Sequence, residues 1–203
     1  MLKNSKHCPQ CGNALPLAFR FTKLTICEQC SSTVFLEDDG TRLAGKSATL
    51  TDLPSLIHLK QPFSYHDDYF LPVGHIRYNY GYGYWDEWWI LDSVGEGCWL
   101  SIDEGDFAFE RPQPLPEKPI SRDTLQLGKT IHLLDQAWQI TEVAQATCEG
   151  FRGELPEIIA QGEQFDYAHL SGTKGELLTL EYHESQIQGF LGRWVDPFEI
   201  KVE

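Results

Sequence analysis

Residues 99 to 110 read Trp-Leu-Ser-Ile-Asp-Glu-Gly-Asp-Phe-Ala-Phe-Glu, two apolar stretches on either side of an acidic turn that contains glycine. Short runs of β-forming residues bounded by Asp and Gly are typical of a β-hairpin. The same layout returns in residues 177 to 190, with a turn at residues 183 to 186. Because little of the chain beyond residue 55 repeats with the 3.6-residue period of a helix, the sequence predicts a mainly β protein.

The repetition extends to whole β units. A strand precedes each hairpin, at residues 70 to 76 and 138 to 143, which indicates two related small β-barrel or roll units. Between them, residues 111 to 119 contain four prolines, which exclude a helix or a central strand and favour an extended connector. We place the first β unit at residues 50 to 111, the proline-rich connector at residues 112 to 119 and the second β unit at residues 120 to 203.

Four of the six cysteines lie within the first 30 residues. Cys8, Cys11, Cys27 and Cys30 form the pattern C-x2-C-x15-C-x2-C, which has the spacing of a four-thiolate zinc site. Two residues between paired cysteines allow a tight turn to direct both sulfurs at one ion. Alternating apolar residues from 15 to 21, and again from 24 to 26, predict a hairpin that returns the second pair to the first. The sequence therefore predicts a zinc ribbon over residues 1 to 45.

The zinc is expected to be structural. Four thiolates complete the tetrahedral coordination and leave no position for a reactive water. A module of fewer than 50 residues also buries too little apolar surface to fold alone, so metal binding supplies folding energy. An iron site of the rubredoxin kind and a redox dithiol are the alternatives that four cysteines leave open. We expect Zn²⁺ as the cofactor, with the neighbouring His7 exposed.

One apparent nucleotide motif is rejected on its context. Residues 40 to 47, Gly-Thr-Arg-Leu-Ala-Gly-Lys-Ser, match the phosphate-binding loop pattern G-x-x-x-x-G-K-[ST]. A working loop of this kind lies between a buried strand and the N-terminus of a helix. Here the following residues are rich in threonine and end at Pro54, which is a poor helix sequence. We therefore expect a turn at Asp38-Asp39-Gly40, a linker after it, and no nucleotide.

Charge is distributed unevenly along the chain. The protein has 30 acidic and 16 basic residues, a formal charge of −14. Residues 1 to 49 carry a net charge of +2 (six basic, four acidic) and residues 50 to 203 a net charge of −16 (ten basic, twenty-six acidic). Because affinity for nucleic acid comes largely from neutralising phosphates, this acidic body disfavours DNA and RNA as partners. No apolar run has the roughly 18 residues of a membrane span, and no secretion signal is visible, so a cytoplasmic location is expected.

Aromatic residues are concentrated in the first β unit. Fourteen of the 25 lie between Phe63 and Phe109. Alternation along a strand places Trp85, Glu87, Trp89 and Leu91 on one face and Tyr84, Asp86, Trp88 and Ile90 on the other. The strand is either covered on both faces or presents an exposed aromatic ledge that binds a protein partner. The candidate partner-binding residues are Tyr80, Tyr82, Tyr84, Trp85, Glu87, Trp88 and Trp99.

Glu87 lies on an otherwise apolar face. A buried carboxylate needs a cationic partner, or its pKa must rise. Arg77 and Arg111 are the candidate partners. The sequence therefore predicts either an ion pair at Glu87 or a protonated acid.

Six short motifs occur between residues 50 and 200. They are Asp52-Leu53-Pro54-Ser55, Val73-Gly74, the W-x-E-[WY] stretch that starts at Trp85, Trp99-Leu100, Gly153-Glu154-Leu155-Pro156 and Gly192-Arg193-Trp194-Val195. In this combination the sequence resembles the DUF4178 family of bacterial proteins. The resemblance implies a β-rich module without an established activity and an N-terminal cysteine ribbon as a common companion. It also implies an association with membrane-stress or polyamine-related proteins.

These features favour a non-enzymatic protein, a zinc ribbon with tandem β modules that acts as a protein-interaction or scaffold factor. One alternative is a hydrolase that uses two carboxylates as general acid and base, together with His75 or His169. The other alternative is nucleic-acid binding through the ribbon, with the aromatic stretch as a stacking platform. The candidate carboxylates of the hydrolase are Asp86, Glu87, Asp103, Glu104 and Asp106.

Overall fold

The computed structural model describes residues 6–37, 40–46, 50–51, 53–117, 120–184 and 186–202. These residues are mainly β, as the sequence predicts, with three single-turn 3₁₀ helices at Arg122–Thr124, Thr173–Gly175 and Pro197–Glu199. No helix in the described ranges is long and apolar enough to cross a membrane. The strands are β1 (Leu24–Ile26), β2 (Ser32–Glu37), β3 (Gly40–Lys46), β4 (Phe63–Tyr65), β5 (Asp68–Asn79), β6 (Tyr84–Asp92), β7 (Gly97–Asp103), β8 (Asp106–Pro112), β9 (Thr130–Leu133), β10 (Gln136–Leu155), β11 (Gln164–Ser171), β12 (Glu176–Tyr182), β13 (Ile187–Val195) and β14 (Ile200–Val202).

Each predicted β unit contains a four-stranded antiparallel meander. In the first, β5 pairs with β6, β6 with β7 and β7 with β8; in the second, β10 to β13 pair in the same consecutive order. The two hairpins predicted from sequence are β7–β8 and β12–β13. In the β7–β8 turn, Glu104 and Gly105 both have positive φ, 48° and 97°. Such turns match the right-handed twist of the strands they connect, and Gly is favoured there.

The two meanders are hydrogen-bonded to each other along both edges. β8 pairs with β13, and β5 pairs with β10, so the pairing passes through eight strands and returns to its start. β10 is long enough for both roles: its residues up to Thr147 pair with β11, and those from Thr147 onward pair with β5. The two sequence units therefore contribute to one continuous sheet.

Large aromatic side chains fill the inside of this ring of strands. Trp85 and Trp89 of β6 pack there, as the alternation predicts, while Trp88 and Ile90 belong to a second core on the outer face. β4, β14 and the segment around Ile57 cover this outer core. A third core lies against the outer face of β10 to β12, around Trp138. Both faces of the aromatic strand are therefore covered.

The N-terminal ribbon corrects one prediction. Leu24 to Ile26 forms β1, but residues 15 to 21 form no strand, so the predicted hairpin is wrong in its first half. Instead, β1 pairs with β2, and the second cysteine pair occupies the turn between them. The reason is tertiary: the backbone N–H groups of Ala18 and Phe19 bond to a carboxylate of β10 and are unavailable to a strand ladder.

The phosphate-loop match forms a strand. Gly40 to Lys46 is β3, which pairs antiparallel with β2. It therefore lacks the loop and helix N-terminus that hold phosphates. The predicted turn residues Asp38 and Asp39, and Ser47, lie outside the described residues.

The proline-rich connector is extended where it is described. The backbone N–H of Gln113 bonds to the carbonyl of Gly189 at 2.7 Å, and residues 113 to 116 form no regular element. Residues 118 and 119 lie outside the described residues. The connector therefore leaves the ring directly where β8 meets β13.

Candidate metal centre and buried polar clusters

The four predicted cysteines come together. Their sulfurs all lie within 4.8 Å of one another, with 3.7 Å between Cys8 and Cys30 and 3.7 Å between Cys11 and Cys27. Four sulfurs about 2.3 Å from a tetrahedral zinc ion would be about 3.8 Å apart by geometry. The arrangement therefore fits a four-thiolate metal site.

Two matching turns place the sulfurs. Gly12 N–H bonds to the carbonyl of Cys8, and Ser31 N–H bonds to the carbonyl of Cys27, each at 2.8 Å. Gly12 and Ser31 both have positive φ, 76° and 56°, so each C-x2-C turn ends in a left-handed residue. The Ser32 hydroxyl lies 3.3 Å from the Cys30 sulfur, and this hydrogen bond lowers the pKa of Cys30 to about 6. Against the lowering effect of a backbone hydrogen bond at Asn13, burial and the neighbouring cysteines raise the pKa of Cys11 in the same cluster to about 12, so the two shifts have opposite signs. His7 is exposed, as predicted.

The ribbon is fixed to the ring of strands. The Glu154 carboxylate of β10 accepts hydrogen bonds from the backbone N–H groups of Ala18 and Phe19 and from the Thr22 hydroxyl, at 2.9 to 3.1 Å. Leu24 of β1 pairs with Leu155, which extends the sheet into the ribbon. A buried carboxylate saturated by donors is a strong, directional contact. The ribbon and the β modules therefore behave as one structural unit.

Apolar contacts support the same junction. The ring of Phe19 packs edge-on against Trp89, with centroids 5.4 Å apart, and belongs to the core inside the strand ring. Lys60 and Glu28 form an ion pair nearby at the surface. The loop between the cysteine pairs is therefore a docking element as well as a connection.

The six aromatic residues among the seven candidate partner-binding residues divide into two groups. Trp85, Trp88 and Trp99 are 6%, 1% and 3% exposed, which corrects the ledge interpretation for these three. Tyr82 is fully exposed and Tyr84 is 42% exposed, while half-buried Tyr80 donates a hydrogen bond to Asp103 at 3.2 Å. The strand alternates inward and outward within covered cores, so among these candidates the exposed rings are those at the turn between β5 and β6.

Asp86 lies in a buried charge network. It accepts hydrogen bonds from Arg77 at 2.8 and 3.1 Å and lies 2.7 Å from Nε2 of His75. Arg152 donates to Nδ1 of His75 at 3.2 Å, so His75 donates its Nε2–H to Asp86. His75 also stacks on Trp88, with centroids 4.0 Å apart. Burial lowers the pKa of His75, and the hydrogen bonds from His75 and Arg77 outweigh burial to lower that of Asp86.

Neither of the two predicted ion pairs forms at Glu87. Arg77 pairs with Asp86, and Arg111 donates to the carbonyl of Gly97, so neither arginine hydrogen-bonds to Glu87. Its carboxyl group instead accepts a hydrogen bond from Trp85 Nε1 at 2.9 Å. Burial raises its pKa well above the ordinary value. The raised pKa favours the protonated acid of the two predicted forms.

Two more acids share the interior with Glu87. Glu110 of β8 accepts hydrogen bonds from Ser101 at 2.9 Å and Thr179 at 2.6 Å, and Glu181 of β12 lies beside them. Burial raises the pKa of both groups. Glu110 and Glu181 are not among the residues predicted from sequence. The alternation of side chains along β12 identifies Glu181 as an inward-facing acid, because Leu178 and Leu180 face the outer core.

Among the remaining hydrolase candidates, burial raises the pKa of Asp103, on which the charges of Glu142, Glu104 and His169 also act. His169 contacts Glu142 at 2.9 Å, and Asp103 accepts from Tyr80, whereas Glu104 and Asp106 are exposed in or beside a turn. A cavity of about 430 Å³ is lined by Asp86 and Glu104. Asp86 is already held by two cationic or hydrogen-bonding partners, so its carboxylate is constrained rather than free to exchange a proton.

Residues 61–197 match the protein family described as Domain of unknown function (DUF4178). The chain belongs to the DUF4178 family. No curated protein and no solved structure matches it.

Two DUF4178 motif glycines lie at the closest contact between the meanders. Gly74 of β5 pairs with Gly153 of β10. A Cβ at Gly74 would lie 2.0 Å from the Glu154 carbonyl oxygen, and one at Gly153 would lie 2.1 Å from that of Val73. Gly153 also has φ of +72°. These motif glycines let β5 and β10 approach, and the neighbouring Glu154 then binds the ribbon.

A third DUF4178 motif closes the opposite edge. Gly192 of β13 pairs with Glu110 of β8, and a Cβ there would lie 2.4 Å from the Phe109 carbonyl oxygen. Both seams between the meanders therefore use a glycine at the point of closest approach.

Proposed function

We propose that this protein is a non-enzymatic interaction or scaffold factor of the bacterial cytoplasm, in which a structural zinc ribbon and a ring of β-strands present a surface to a protein partner. Cys8, Cys11, Cys27 and Cys30 hold Zn²⁺ in this proposal. The ion completes the fold of the ribbon and takes no part in chemistry, because four thiolates saturate its coordination. The link to membrane-stress or polyamine-related systems belongs to the same proposal.

The observation that carries the proposal is the exposure of the turn between β5 and β6. Tyr82 is fully exposed and Tyr84 is 42% exposed, and Leu56 beside them is 42% exposed. Leu56, Tyr80 and Tyr84 also line the cavity of about 430 Å³ described above. We call Leu56, Tyr80, Tyr82 and Tyr84 the hairpin surface.

Anchoring favours this surface for binding. Arg77 lies over the ring of Tyr84 at 4.7 Å, and Tyr80 is hydrogen-bonded to Asp103. Rings that are already ordered lose little entropy when a partner covers them, and tyrosine is enriched at energetic hot spots of interfaces. The hairpin surface therefore combines exposure with pre-organisation.

Affinity capture with the intact protein tests the proposal. The doubly substituted variant Tyr82→Ala and Tyr84→Ala should reduce recovery of a specific partner about tenfold or more, since truncated hot spots each cost about 2 kcal/mol. Phe198→Ala is the matched control, because Phe198 is 93% exposed and lies outside the hairpin surface. Zinc content should be equal in all three proteins. Equal recovery with the doubly substituted and the control variants would contradict the proposal.

A further inference from the structure

A second cavity, of about 540 Å³, lies beside the acidic interior. Its lining includes four carboxylic acids and His183, and no lysine or arginine is present among the described residues that line it. Glu181 lines both this cavity and the small interior space next to Glu87 and Glu110. The four acids are Glu157, Glu163, Glu181 and Glu184.

A buried hydroxyl also faces these acids. Tyr78 is 3% exposed and lines the cavity. No described residue forms a hydrogen bond with its hydroxyl group. Burial, and then the charges of Glu87, Glu157 and Glu181, raise the pKa of Tyr78. Among the described residues, its oxygen is not one of the fully enclosed polar atoms that lack a partner, so it is open to the cavity, where water or a ligand can bond to it.

The arrangement suits an organic cation better than a metal ion. Among the described residues, the four cysteines alone bring three or more metal-ligating atoms within 4.8 Å of one another, so the cavity acids form no preformed metal cage. The cavity has space for several non-hydrogen atoms, and Phe165, which packs against both Tyr78 and His183, supplies an aromatic wall nearby. An ammonium group has three donors and no acceptor, which matches carboxylates and a free hydroxyl oxygen.

We propose that this cavity binds a small organic cation through its ammonium group, with Glu181 and Tyr78 at the buried end and Glu157, Glu163 and Glu184 nearer the solvent. The site is separate from the hairpin surface and goes beyond the proposed function. A protein partner and a small cation could therefore be bound independently.

Binding should be coupled to proton release. Burial raises the pKa of Glu157 and Glu181, so each holds its proton to a higher pH than an exposed carboxyl group does. An ammonium ion stabilises the carboxylate forms and expels those protons, and affinity should rise with pH until the amine itself loses its proton near pH 10. His183 lies 3.1 Å from Glu181 and competes for it. The other titratable groups that act on these acids are Tyr78, Glu87, Glu110, Cys148 and Glu163, and Lys23 acts on Glu157.

Calorimetric titration of the full chain with n-butylammonium tests the proposal, with n-butanol and Mg²⁺ as comparison ligands. Repeating the titration in two buffers of different ionisation heat measures the protons released. We expect saturable binding of one n-butylammonium per chain with proton release, and neither comparison ligand should match it. Affinity for n-butylammonium should fall about tenfold or more in Glu181→Gln, which removes a hydrogen bond to a charged group. It should fall a few-fold in Tyr78→Phe, which removes a hydrogen bond to a neutral group.

Glu117→Gln is the matched control, because it removes one negative charge from the exposed connector, outside the cavity. It should bind n-butylammonium like the unmodified protein. Absence of saturable binding at millimolar concentration would overturn the proposal. So would equal weakening in Glu117→Gln and Glu181→Gln, unchanged affinity in both cavity variants, or tighter binding of Mg²⁺. Circular dichroism shows whether each variant is folded. If Glu181→Gln alters the sheet, the affinity of Tyr78→Phe for n-butylammonium still tests the proposal.

Discussion

The Glu154 carboxylate, at the end of β10, accepts a hydrogen bond from the backbone N–H of Phe19 at 3.0 Å, across 135 residues of sequence. Ala18 N–H and the Thr22 hydroxyl bond to the same group. The loop between the two cysteine pairs is therefore held in place by hydrogen bonds to a single acidic side chain. Together with the β1–β10 pairing and the packing of Phe19 on Trp89, this contact makes the metal module part of the same body as the strand ring.

Replacing Glu154 by alanine should release the ribbon loop. The buried Phe19 N–H loses its acceptor, the exposed Ala18 N–H can bond to water, and the Thr22 hydroxyl keeps the Phe19 carbonyl at 2.8 Å. A donor left buried without a partner costs about 1–3 kcal/mol, so we expect a loss of about that size in the free energy of unfolding. Denaturant unfolding measures the loss, and hydrogen exchange should show faster exchange at residues 18 to 24. Glu37→Ala is the control, since Glu37 forms an exposed ion pair with Arg42. Equal protection of the loop in both variants would contradict the docking role of Glu154.

Gly74→Ala should disrupt the seam between β5 and β10. The added methyl group would lie 2.0 Å from a backbone oxygen, which cannot move away as a flexible side chain could. We expect a loss of about 3 kcal/mol or more, or failure to fold. Gly40→Ala is the matched control, because a Cβ there has nothing within 4 Å. Thermal unfolding that gives the same midpoint for both variants would contradict the seam contact.

Asp86→Asn should destabilise the outer core. The substitution removes the charge that Arg77 and His75 face, and breaking a buried pair by neutralising one member costs about 3–5 kcal/mol. Chemical denaturation measures this loss. Asp106→Asn, in an exposed position, should leave stability nearly unchanged. A similar small effect at both positions would show that the Asp86 network contributes little.

The interior acids should make the protein less stable as pH rises. Burial raises the pKa of Glu87, Glu110 and Glu181, so the folded state holds their protons more tightly than the unfolded state does. Their stabilising contribution is present below the ordinary carboxyl pKa and is lost as pH rises through the raised values. The lowered pKa of His75 acts in the opposite direction.

Glu181→Gln isolates the acid contribution to this pH dependence. Unfolding free energies measured from pH 5 to pH 9 should fall less steeply in the variant than in the unmodified protein. The same curve in Glu117→Gln should follow the unmodified protein. Parallel curves for Glu181→Gln and the unmodified protein would show that Glu181 ionises without penalty in the folded state.

The sequence predicts local structure well where the signal is periodic. Alternation of Trp85, Glu87 and Trp89 against Trp88 and Ile90 assigns both faces of β6 correctly, and turn residues locate both hairpins. The spacing of the cysteines likewise predicts their convergence. Each of these signals depends on residues close together in the chain.

The sequence does not predict contacts that join distant segments. The pairing of β5 with β10 depends on close backbone contacts at glycines, and the hydrophobic periodicity of the sequence does not reveal such contacts. The alternation in residues 15 to 21 predicts a strand, but the Glu154 carboxylate captures the backbone N–H groups that a strand would use. Exposure of Tyr82 beside buried Trp85 likewise depends on how both faces of the sheet are covered.

The central claim is that four thiolates hold one zinc ion in a saturated site within the docked ribbon. Elemental analysis combined with X-ray absorption at the zinc edge, on freshly purified untagged protein, tests it most directly. We predict one zinc per chain with four sulfur ligands at about 2.3 Å. Well under one equivalent of metal with the ribbon still ordered, or oxygen or nitrogen atoms among the ligands, would contradict it.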